Sequence, residues 1–261
     1  MLEEQDRIAL MTARQLLDNP GLAAKLANFV GTPVERGFAL LPSAWREVVD
    51  DAAHQAVRAA LRVALWTLDQ GEAATARTPA NAWHKLAAVA SGAAGGAFGL
   101  TALPLELPLS TTIMLRSIAD IARSEGEDLR GADARLQCVQ VLALGGRAAS
   151  DDAAEIGYFA ARAAMAQAVS EAASHLAAHG LGHQGAPAVV RLITQIAGRF
   201  SIVVSEKAAA QAVPVVGAIG GAVINTLFLD HFQDMARGHF IVRRLERHYG
   251  AVAVREAWGA L

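Results

Sequence analysis

Residues 208–250, AAAQAVPVVGAIGGAVINTLFLDHFQDMARGHFIVRRLERHYG, constrain the fold more than any other part of the chain. The first half of this stretch, 208–229, is uncharged and rich in Gly, Ala and Val. The second half sets Asp230, Asp234, Arg237, Arg243, Arg244, Glu246 and Arg247 in a helical pattern. Gly217, Gly220 and Gly221, spaced i, i+3, i+4, strip one helix face of side chains, so that another backbone can approach. Such close packing offsets the roughly 1 kcal/mol that a glycine costs a helix interior. Residues 86–105 repeat the design with Gly92, Gly95, Gly96 and Gly99. Both segments are expected at the centre of the fold, as its tightest helix crossings.

The chain of 261 residues is long enough to bury a sizeable core. Its hydrophobic fraction is 53% but its aromatic fraction only 5%, so the apolar mass is Ala, Leu and Val, which suits closely packed helices. A net charge of −2, with no Lys/Arg cluster interleaved with aromatics, argues against a nucleic-acid partner. The lone cysteine, Cys138 in LQCVQVLAL, reads as a small buried residue in a reducing compartment. Acids near the N-terminus, MLEEQDRIALMTARQLLD, stand where a secretory signal carries basic residues. The expected location is the cytoplasm, extending to the cytoplasmic face of a membrane.

Apolar residues recur at helical spacing over 5–17, 22–30, 43–68, 109–124, 132–144, 151–178, 187–212 and 252–258, separated by Gly and Pro signals. Pro108 is expected in the first turn of its helix, where it has no N–H to lose. Gly126 is expected as a left-handed cap, and 180–185, GLGHQG, as a loop. Strand alternation is missing throughout. The sequence therefore predicts an all-α fold, a single multi-helix bundle with the two glycine-rich segments packed centrally. Residues 1–19 form an N-terminal helix and 20–261 the main helical domain.

An echo links the two glycine clusters. GAAGG at Gly92 precedes a helix bearing Asp120-Ile-Ala-Arg123, and GAIGG at Gly217 precedes one bearing Asp234-Met-Ala-Arg237. Asp234 falls in line with Leu227, Ile241 and Leu245, where a core residue is expected, and Asp120 shares a face with Leu109 and Ile113. On one reading each aspartate pairs locally, Asp120 with Arg116 or Arg123 and Asp234 with Arg237. On a sharper one, Glu106, Asp120, Asn225, Asp230 and Asp234 converge with His231 or His239 in one polar pocket. His175, His179 and His183 step at i, i+4, i+8 and read as solvated. No metal or cofactor is expected: the Gly-x-Ser-x-Gly elbow, the His-Glu-x-x-His helix, the phosphate loop and the Glu-x-x-His pair of di-iron bundles are all missing.

With these motifs in hand the chain resembles the EcsC family of bacterial proteins. The match is carried by Ala90-Ser91-Gly92 through Gly96, Leu103-Pro104 to Pro108, Leu115 to Arg123, and Gly126-Glu127-Asp128. It continues in Pro214 to Asn225, Asp230-His231-Phe232-Gln233-Asp234-Met235-Ala236-Arg237, and Arg244-Leu245-Glu246 to Tyr249-Gly250. Glu125 departs from the pattern, where the family more often has Tyr, and Glu106 stands where it often has Asp. The resemblance implies a helical protein linked to a membrane transporter, with no established activity.

The expected function is a non-enzymatic accessory or interaction protein at the cytoplasmic face of the bacterial inner membrane, linked to a transporter or secretion system. Segments 86–105 and 208–229, each near the length that spans a bilayer, motivate the membrane surface or a membrane protein as partner; burial within the bundle is the favoured alternative to spanning. Two further readings stand beside it: a peptidase-like hydrolase using the carboxylates with a histidine, and a carrier of an apolar ligand.

Overall fold

The computed structural model describes residues 2–18, 21–31, 33–41, 44–67, 103–146, 157–180, 185–213 and 217–261. Among the described residues there are ten helices and no strand, in chain order α1 (Glu4–Asp18), α2 (Leu22–Val30), α3 (Val34–Leu40), α4 (Trp45–Thr67) and α5 (Leu103–Ser124). There follow α6 (Ala132–Leu144), α7 (Gly157–His179), α8 (Pro187–Ala212), α9 (Gly217–Tyr249) and α10 (Ala251–Gly259). The fold is all-α.

Two boundaries differ from the sequence reading. Helix α3 has no counterpart in it; seven residues are too few to show a period, and the helix is placed by packing. A Cβ on its Gly37 would collide with the Ala209 carbonyl oxygen, so α3 and α8 meet backbone to backbone. Helix α5 starts at Leu103 rather than 109, leaving Pro108 inside it. A mid-helix proline costs about 3 kcal/mol, whereas burying Leu103 and Leu107 contributes roughly 1.5–3 kcal/mol each, enough to carry the helix through. Segment 208–229 is carried by two helices, α8 ending at Ala212 as the sequence reading has it and α9 beginning at Gly217. Of segment 86–105, only 103–105 are described.

Among the described helices α6 is enclosed on every side, with residues 134–143 all buried. Its buried residues run round the whole helix, Arg135, Gln137 and Gln140 among them, so it gives no face to water and sits in the middle of its neighbours. Beside it Phe200 of α8 and Phe228 and Phe232 of α9 form an aromatic knot with ring centroids 5.2–6.0 Å apart. Helices α5 and α9 run in the same direction: Gln233 donates to Ser117 Oγ at 2.7 Å, and further along both helices Arg244 reaches Glu125 at 2.9 Å. Helix α1 runs back along α9, its Leu17 facing Gly238, where a Cβ would lie 2.5 Å from Leu17 Cγ. A second, smaller core joins Leu10 and Ala13 of α1 to Tyr158, Phe159, Val242, Leu245, Val254 and Trp258.

Gly220 and Gly221 are buried in α9. The closest approaches at other described glycines are at Gly37, Gly238, Gly145 against Phe232 and Gly146 against the Arg199 carbonyl, none of which stands in a glycine cluster. Gly92, Gly95, Gly96 and Gly99 lie outside the described residues.

Candidate functional site

Two polar assemblies occupy opposite ends of the α5–α9 pair. The first begins with Gly126, whose φ of +80° ends α5. Its N–H and that of Glu127 return to the carbonyls of Arg123 and Ala122, each at 3.0 Å. This reversal turns the Glu127 carboxylate inward, where Arg243 of α9 grips both oxygens at 2.7 and 3.2 Å and Arg247 adds a further bond. Arg244 bridges Glu125 and Asp6, and the Tyr249 hydroxyl donates to Asp6 at 2.8 Å, tying α1 into the same network. Glu125, where the resemblance expects an aromatic, thus serves as an ion-pair partner.

Deeper in, His239 is wholly enclosed. Burial, helped by the nearby Arg162 and Arg243, holds its pKa well below the ordinary imidazole value, so it is neutral. Arg162 donates to the Tyr158 oxygen, which leaves the Tyr158 hydroxyl to donate to His239 Nδ1 at 2.9 Å; His239 Nε2–H then donates to Gln137 at 3.2 Å. Arg162 also grips Glu246 at 2.9 and 2.6 Å. Arg135, buried, spends its guanidinium on the carbonyls of Leu129, Leu65 and Arg130 at 2.6, 2.8 and 3.0 Å. These groups are committed to holding α4, α6, α7 and α9 together. Burial also pushes the Cys138 thiol far above its ordinary value, so it is no nucleophile.

At the other end Glu106 of α5 pairs with Lys207 of α8 at 2.8 Å, with the two side chains only 5% and 0% exposed. The ammonium also lies 4.9 Å from the Phe228 ring centroid. Glu106 Oε2 has no hydrogen-bond partner, nor has either amide atom of Gln211, one turn beyond Lys207. Sequence reading misses Lys207 because it sits at the head of an Ala run, and only its position one turn before Gln211 sets a polar stripe on α8.

The predicted site residues do not form one pocket. Glu106 and Asp120 lie on one continuous helix, about 21 Å apart at ~1.5 Å per residue, and each has its own cation. Arg123 donates to Asp120 at 3.0 Å, and Arg237 donates to Asp234 at 3.1 Å with Lys25 at 3.3 Å. The Asp-x-Ala-Arg echo therefore repeats as geometry, an i, i+3 ion pair in both helices. Asp120 and Asp234 are part-exposed rather than core groups. Arg116 is exposed, Asn225 is buried and Asp230 is half-buried. His231 donates to the Gly145 carbonyl at 2.9 Å and so serves the α6 end. His175 and His179 stack at 4.3 Å between centroids; His183 lies outside the described residues.

The end that holds Glu106–Lys207 also shows an apolar exterior. Leu105 and Leu109, one turn apart on α5, are 83% and 56% exposed, and Phe38 and Leu40 project from α3, which packs on the same end of α8. Phe29 of α2 is exposed as well. By length and composition α8 is long and apolar enough to cross a membrane, with 44% of its most apolar window buried in the bundle.

A family model described as the EcsC protein family matches residues 9–245. No curated protein and no solved structure matches the chain. With a family model spanning α1 to the last turns of α9, the chain belongs to the EcsC protein family.

Proposed function

We propose that this protein is a non-catalytic accessory of the bacterial inner membrane, working from its cytoplasmic face beside a transporter or secretion system. The reading is carried by the exposed Leu105 and Leu109 pair on the first turns of α5. An apolar pair on a protruding helix start costs roughly 25 cal/mol per Å² while it faces water, a cost removed when it enters a lipid or protein surface. Phe29, Phe38 and Leu40 add to the apolar character of the neighbouring helices, whereas the charged networks of Glu125, Glu127 and Asp6 gather at the opposite end. Of the acids that a hydrolase would use, Glu106, Asp120 and Asp234 are paired with Lys207, Arg123 and Arg237, and His239 is taken up by Tyr158 and Gln137.

Flotation of the full chain with phosphatidylethanolamine–phosphatidylglycerol vesicles at low salt tests the proposal. Wild type is expected to float, and the Leu105→Asp/Leu109→Asp variant to stay in the soluble fraction with an unchanged melting temperature. Wild type that stays wholly soluble removes the membrane reading.

A further inference from the structure

The groove between α4 and the first turns of α8 has a volume of about 490 Å³ and is lined by Arg58, Arg62, Gly185, Val190, Ile193 and Thr194. From this geometry we infer that the groove binds a phosphate group carried on an apolar body.

Arg58 and Arg62 stand one turn apart on α4, so both guanidiniums leave the same face. Neither has a carboxylate partner among the described residues. Arg123, Arg162, Arg237, Arg243, Arg244 and Arg247 are all paired by contrast. Like charges at i, i+4 repel, and a bound anion relieves that repulsion. Acids are missing from both walls: α4 has none after Asp51, and α8 has none before Glu206. The first turn of α8, which opens onto the groove, has no side-chain cap and adds to the positive field.

The remaining walls say what the anion is attached to. Val190 and Ile193 provide an apolar surface. The Thr194 hydroxyl donates to the Val190 carbonyl at 3.0 Å, so toward the groove it offers only acceptor capacity. Two planar guanidiniums suit the several oxygens of a phosphate. A groove of this size exceeds what a bare phosphate fills and falls in the range of small-molecule sites. Lipid headgroups and soluble phosphate monoesters share this chemistry. The site is separate from the apolar end, since Val190 and Lys207 are about 26 Å apart along α8 at ~1.5 Å per residue.

The test uses the full chain with three probes: inorganic phosphate, n-hexyl phosphate below its micellar concentration, and phosphatidylcholine vesicles with and without phosphatidic acid. Hexyl phosphate is expected to bind several-fold tighter than inorganic phosphate, because the hexyl chain meets Val190 and Ile193. Arg58→Gln/Arg62→Gln should weaken binding at least tenfold, and Val190→Glu, at an exposed position, should do the same by charge. Arg191→Gln, whose arginine pairs with Glu171, should leave binding unchanged. Binding to phosphatidic acid vesicles that depends on both arginines identifies a lipid source, and binding of hexyl phosphate alone identifies a soluble one. Equal affinities in wild type and the double arginine variant, or no binding of any probe, overturn the inference. Equal affinities leave the membrane proposal standing, since that one is read from Leu105 and Leu109 and is tested separately by flotation of the Leu105→Asp/Leu109→Asp variant.

Discussion

Lys207 and Glu106, 101 residues apart in sequence, form a 2.8 Å ion pair sealed between α5, α8 and the ring of Phe228. Desolvating both charges costs several kcal/mol, and the pair is held only because each partner satisfies the other. Removing one partner leaves a bare buried charge. Lys207→Ala is therefore expected to lower stability by about 3–5 kcal/mol, whereas Glu106→Leu/Lys207→Met should cost far less or even stabilise. Urea unfolding with constant m-values checks this; a Lys207→Ala loss below about 1 kcal/mol would show that the pair is not sealed.

Glycines separate into those that must stay bare and those that need not. Gly37→Ala would drive a methyl against the Ala209 carbonyl, with no flexible group to give way. A loss of about 1–3 kcal/mol or more is expected, with α3 displaced. Gly198, exposed in the interior of α8 with nothing within 4 Å of its Cβ position, should respond oppositely, Gly198→Ala stabilising by about 0.5–1 kcal/mol. Thermal melts of the two variants should move in opposite directions.

Glu206 makes stability depend on pH. Burial pushes its carboxyl up to about 7, against a hydrogen bond from the Ala23 backbone that pulls the other way. The folded chain thus holds this proton more tightly than the unfolded one. The stabilisation is full below the ordinary value of 4.5 and is lost as pH rises through about 7. Glu206→Gln should gain on wild type between about pH 5 and about pH 8, by an amount on the order of a few kcal/mol. A wild-type-minus-variant stability difference that is flat with pH would refute the assignment.

His239 acts with the opposite sign. Its folded value is depressed below 6.5, so it stabilises the fold above that pH and the contribution is lost as pH falls below it. His239→Gln should flatten the acid side of the stability curve as pH falls below 6.5. Tyrosine fluorescence reports opening beside Tyr158, and an acid limb as steep as wild type would count against the neutral, buried imidazole.

Arg135 gives three bonds to three carbonyls through one rigid fork. Lysine keeps the charge but cannot reach all three in a plane, so Arg135→Lys should cost about 3 kcal/mol or more. Hydrogen exchange at Leu65 and Leu129 should rise with it if the arginine clamps the end of α4 to α6.

Much of the helical inventory is legible because it is local. Helices α2, α6 and α8 end where Gly, Pro and periodicity say they do, and Gly126 takes the left-handed conformation expected of it. The Asp-x-Ala-Arg pairs are legible for the same reason: i, i+3 geometry is set by the helix itself. Which helices meet cannot be read in this way. Lys207, Arg135 and Glu127 look like surface charges in the sequence, and each is buried by partners far along the chain. Nor does the sharper of the two readings, with Glu106 and Asp120 in one pocket, survive, since only a continuous α5 shows how far apart they lie.

The chain alone determined an all-α protein with its periods, caps and paired Asp–Arg turns, because those follow from hydrogen bonds and side-chain spacing within a few residues. Only the tertiary structure decided that α6 is enclosed, that Glu106 belongs to Lys207, and that Leu105 and Leu109 face outward. Burial is a property of how helices are stacked, and no residue carries that information by itself.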